Sequence, residues 1–161
     1  MAKNKKSGKK YVPRPKLNNP LEFVIQGMKT VSAEKQLTVN IVNHDALYAI
    51  THGKGTKSEW DAIAALLNTS FVLCQSGFGE EHIGDVRKAM EAHWMCGRRN
   101  HLHGKYGYAG PEIQQVALGL ELYEAQLQVV PVRELELAHL KVYHLLLNGN
   151  VEYEVKKGRK P

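Results

Sequence analysis

Thr56-Lys57-Ser58-Glu59-Trp60-Asp61-Ala62-Ile63-Ala64-Ala65-Leu66-Leu67-Asn68-Thr69-Ser70-Phe71-Val72-Leu73-Cys74 is the stretch whose reading decides the fold. Thr56 and Glu59 stand at capping-box spacing, where each side chain satisfies a backbone amide that the first helical turn leaves without a partner. Trp60, Ile63, Ala64, Leu67, Phe71 and Cys74 then recur every three or four residues, which places them on one face of a helix. Gly77 closes the run.

The same 3.6-residue rhythm continues downstream. A second helix is expected from Glu80, with Ile83, Val86, Met90, His93, Trp94 and Gly97 on one side. Its acids Glu80, Glu81 and Asp85 sit at the positive N-terminal end and Arg98 and Arg99 toward the other. Gly104, Gly107 and Gly110 mark a loop. Pro111 suits the first turn of a third helix carrying Ile113, Val116, Ala117, Leu120, Tyr123 and Leu127. Pro131 cannot sit inside a helix, so the chain divides there. The last helix has Leu135, Ala138, Val142 and Leu145 at its centre and stops at Asn148-Gly149. Beyond it, Val151, Tyr153 and Val155 alternate weakly.

Upstream the pattern is mixed. Leu37, Val39 and Ile41 alternate as in a strand, whereas Leu37, Ile41 and Tyr48, or Val42, Ala46 and Ala49, suit helical faces. No neighbouring strand offers a pairing partner, so a helix through His52 is expected, ended by Gly53 and Gly55. Pro20, capped by Asn18 or Asn19, suits a short helix from Leu21 to Met28. The expected architecture is all-α: a bundle of about five helices over residues 21–150. A flexible basic tail (1–20) precedes it, and a short basic tail (151–161) follows.

With 161 residues, 43% of them apolar and 24% charged, the chain can bury a core without disulfides or metal. No apolar run approaches the roughly 20 residues that span a bilayer. The charged first ten residues lack the apolar stretch of a secretory signal, so no membrane role and a cytoplasmic setting are expected. Cys74 and Cys96 read as buried thiols. Charge is unevenly placed. Residues 1–20 hold seven cations (Lys3, Lys5, Lys6, Lys9, Lys10, Arg14, Lys16) and no acid. Residues 151–161 hold four cations against two acids. The whole chain is +6, so the body from 21 to 150 is left at −3.

That tail attracts polyanions and reads no base sequence. Arg98, Arg99, Lys105, Tyr106 and Tyr108 form a second cationic and aromatic group, with phosphate forks and stacking faces that suit nucleic acid. His93, Cys96, His101 and His103 are the one cluster with metal-ligand chemistry. Zinc accepts such donors, but the spacing matches no standard signature. Gly53–Ser58 lacks phosphate-loop spacing. A helix-turn-helix across Gly77-Phe78-Gly79 would present Glu80 and Glu81 to phosphates, which repel them. No catalytic signature is present, and no enzyme activity is expected.

The leader Lys9-Lys10-Tyr11-Val12-Pro13-Arg14-Pro15 and the Gly53-to-Trp60 junction resemble small proteins of tailed bacteriophages and prophages. The resemblance implies a phage-encoded protein in a bacterial cytoplasm, and it carries no family function. Two readings follow. One is association with nucleic acid through the tail, without sequence specificity. The other is a protein-interaction module that docks on a host protein through a helix face. Leu137, Leu140, Leu146 and Leu147 widen the last helix beyond one apolar stripe, which suits a partner or a homodimer.

Overall fold

The computed structural model describes Ile25 and residues 27–147, and it folds five α-helices: α1 (Ala33–Thr51), α2 (Lys57–Gln75), α3 (Ile83–His103), α4 (Gly110–Val129) and α5 (Val132–Leu147). The described residues therefore form an all-α bundle. Both basic tails, and most of the short helix expected from Leu21 to Met28, lie outside the described residues.

α2 is the axis of the bundle. It packs against α1, α3, α4 and α5, and α4 also packs on α1 and α3. Its start follows the capping box: Thr56 N–H donates to Glu59 at 2.7 Å, and Thr56 Oγ1 accepts from Ser58 N–H. Toward its C-terminus burial runs around the whole helix, taking in Leu66, Thr69, Ser70, Val72 and Leu73 as well as Ile63, Leu67, Phe71 and Cys74. Each aliphatic side chain buried in this way contributes about 1.5–3 kcal/mol relative to exposure. Trp60 and Ala64, expected on the inner face, are only half-buried.

α3 begins later than expected, because Glu80–His82 form a 3-10 turn before Ile83. Small residues let its neighbours approach closely. A Cβ on Gly97 would lie 2.9 Å from the Trp60 ring, and one on Gly119 of α4 would lie 2.7 Å from both Ala89 and Leu67. Proline does what its geometry requires at two corners: Pro111 sits in the first turn of α4, and Pro131 separates α4 from α5. The latter corner is pinned to the segment before α1, where Val132 N–H donates to the Lys29 carbonyl at 2.8 Å.

α1 is helical throughout, but its inner face matches neither apolar pattern as a whole, taking only Ala46 and part of Ala49 from the second. Asn43, Ala46 and Ile50 are buried, whereas Leu37, Ile41, Val42 and Tyr48 face outward. Gln36 reaches back from this helix to the Leu127 carbonyl at 3.1 Å. Across the core, buried Gln126 donates to the carbonyls of Phe78 and Ser70, which fastens the α2–α3 turn to α4.

Candidate functional site

The C-terminal turn of α3 and the loop to α4 carry most of the chemistry seen in the sequence, and the fold sorts those residues in two directions. Arg99 turns inward. Its Nη1 donates to Glu112 Oε1 at 3.0 Å, its Nη2 meets Glu112 Oε2, and its Nε donates to the Gly107 carbonyl at 3.0 Å. The Glu112 carboxylate raises the arginine pKa above its ordinary value. Glu112 also accepts from Ala109 N–H at 2.8 Å, so the pair ties α3 to the first turn of α4. Tyr108 turns inward too, and burial pushes its phenol pKa up. Tyr106 packs near Trp60, with ring centroids 6.1 Å apart. Only Arg98 and Lys105 of this group face solvent, and the Arg98 guanidinium lies 4.9 Å from the Trp94 ring centre.

His93 is the buried centre of this end. Its Nε2 lies 3.0 Å from the Trp60 carbonyl, which can only accept, so Nε2 carries the proton. Nδ1 then accepts from the Tyr108 hydroxyl at 2.6 Å. Burial pushes the imidazole pKa down to about 4, so the ring is neutral at neutral pH. Trp60 answers with its indole N–H, 3.3 Å from the His93 carbonyl, and the two rings stack at 4.9 Å. Cys96 is buried, and desolvation raises its thiol pKa. His101 and His103 are exposed on the last turn. Both His93 nitrogens are thus engaged. Among the described residues no group of three or more His, Cys, Asp or Glu side chains gathers to hold a metal. His93, Cys96, His101 and His103 are not brought together as a zinc site would need.

Two adjoining grooves open beside this cluster. The larger, about 450 Å³, lies between α2, α3 and the end of α5, and is lined by Trp60, Ala64, Ala65, Met90, Trp94 and Leu146 among others. The second, about 380 Å³, shares Trp60 and Trp94 and adds Arg98, His101, Leu102 and Tyr106. Neither groove is legible in the sequence, because a tryptophan at helical spacing reads as core.

The outer face of α5 is apolar as well. Leu137, Leu140 and Leu147 are 49%, 53% and 64% exposed, and Tyr143 and Leu146 stand beside them. With Arg133 and His144 the leucines follow a four-three-four-three spacing, the seam by which one helix packs along another. The inner face of the same helix holds Ala138 and Val142, so α5 has two apolar sides and the bundle uses one. The tail cations Lys3, Lys5, Lys6, Lys9, Lys10, Arg14 and Lys16 lie outside the described residues. Among the described residues no helix is long and apolar enough to cross a membrane. Comparison with protein-family models, curated proteins and solved structures finds no match to the chain.

Proposed function

We propose that this protein acts by binding rather than by catalysis, and that it takes an amphipathic helix of a partner protein on the outer face of α5. The observation that carries this reading is the exposed Leu137–Leu140–Leu147 seam, opposite the face that α5 gives to its own core. Exposed leucines scattered singly need no explanation, but a row at helix-packing spacing does. A partner helix would bury the row, and each leucine covered contributes about 1 kcal/mol before the costs of association, since roughly half its surface is still open. The leader's resemblance to phage proteins favours a partner in a bacterial cytoplasm.

Photo-crosslinking tests this. Benzoylphenylalanine placed at Leu137, Leu140 or Leu147, in bacterial cells, is expected to give one discrete adduct, absent when the probe replaces exposed Lys88 or Glu121. The adduct formed from position 147 is expected to vanish in a Leu140→Glu background. Equal adducts from α5 and from the control positions would contradict the reading.

A second reading rests on a different observation, the seven cations and no acid in residues 1–20. Such a segment associates with nucleic acid through phosphates. Full engagement predicts a slope of about −6 in log affinity against log salt. Exposed Arg98 and Lys105 are the body residues that favour it, since Arg99 and Tyr108 are held inside the fold.

A further inference from the structure

The two grooves at the C-terminal end of α3 differ in character and share a wall. The larger is apolar: Trp60, Ala64, Ala65, Met90, Trp94 and Leu146 line it, and both indoles are only half-buried. Its one ionised lining group, Asp61, is paired with Lys57. His93, which also lines it, is neutral and bonded at both nitrogens, so it places no charge there. The smaller groove continues past the same two indoles to Arg98 and His101, neither of which forms an ion pair among the described residues. Arg98 is already held over Trp94 by its cation–π contact, so its fork is positioned at the junction of the grooves. A volume of about 450 Å³ falls in the range of small-molecule sites, where apolar walls supply affinity and a few polar groups fix orientation.

From this juxtaposition we propose that the paired grooves form a binding site for a small planar aromatic anion, its ring in the apolar groove beside Trp60 and Trp94 and its carboxylate on Arg98. Flat indole walls favour a ring over a flexible chain, because a rigid ring gives more contact area for less ordering entropy. Charge complementarity selects the anion: the cation lies at one end only, so the ligand must be amphipathic in the same sense. This site takes from α5 only Leu146, which adjoins the Leu137–Leu140–Leu147 seam without being part of it, and its test reads the indoles, so it stands or falls independently of the proposed helix partner.

The chain has two tryptophans, and both line these grooves, so the two indole N–H resonances in a proton–nitrogen correlation spectrum report on this site. The probes are 2-naphthoate, its neutral isostere 2-naphthamide, and octanoate as an aliphatic anion. The expected result is that 2-naphthoate shifts both indole signals and binds at least tenfold more tightly than either of the others. Arg98→Gln, at an exposed position, is expected to bring naphthoate down to the affinity of naphthamide. Ala65→Phe, which fills the groove from an exposed position, is expected to abolish the shifts while the spectrum stays folded. No shift at millimolar naphthoate, equal binding of the amide, equal binding of octanoate, or shifts that survive Ala65→Phe would each overturn the proposal.

Discussion

His93 shows how one buried side chain sets the acid stability of the fold. Its pKa lies at about 4 in the folded state against 6.5 for an ordinary histidine, so between those values the unfolded chain binds the extra proton. The stability it contributes is fully present above pH 6.5 and is lost as pH falls toward 4. Urea unfolding should therefore show a loss of about 2 kcal/mol between pH 7.5 and 5. His139, whose pKa is also lowered by burial, adds in the same direction. In His93→Gln the dependence should shrink to what the remaining groups supply, and an unchanged profile would place the titration elsewhere. Two glycines make a second residue-scale prediction, with opposite signs. Gly119→Ala forces a methyl to within 2.7 Å of Ala89 and Leu67, and should cost about 1–2 kcal/mol after the gain in helix propensity. Gly84→Ala, where nothing lies within 4 Å, should stabilise by about 0.5 kcal/mol. Thermal melts of the two variants check the pair.

Among the elements, the joint between α3 and α4 depends on the Arg99–Glu112 pair. Arg99→Met keeps much of the stem packing and removes the fork, leaving a half-buried carboxylate with one amide donor. A loss of about 1–2 kcal/mol is expected, with faster amide exchange in residues 104–109 than elsewhere in the variant. Helix starts were legible where their cause is local: the Thr56–Glu59 capping box and Pro111 each act within one turn. The inner face of α1 was not, since its burial is decided by partners far along the chain. There Asn43 is buried while Leu37, Ile41 and Tyr48 are left outside. The same limit applies to the site. Spacing put His93 on the apolar side of α3, and it is buried there, but nothing local shows that Tyr108 and the Trp60 carbonyl take both imidazole nitrogens. The grooves arise from tertiary contact between α2, α3 and the end of α5, to which no single stretch of sequence points.

For the whole molecule, charge and apolar surface are segregated. The cations concentrate in the ends, the body from 21 to 150 carries −3, and α5 turns a leucine row outward. Removing residues 1–16 should remove most of any salt-sensitive affinity for a random DNA duplex, read as collapse of the log–log slope from about −6 to the small remainder that Arg98 and Lys105 supply. The same truncation should leave the α5 crosslink intact, because the two readings rest on different residues. The central claim is that the outer face of α5 belongs to a partner and not to the core. Equilibrium urea unfolding of the Leu137→Glu/Leu140→Glu double variant tests it most directly. A midpoint and slope equivalent to within about 0.5 kcal/mol of the parent are the predicted result, as for substitutions at an open surface. A loss of more than about 2 kcal/mol, the scale of charges forced into a packed interface, would mean that the chain itself covers this face, and would contradict the account.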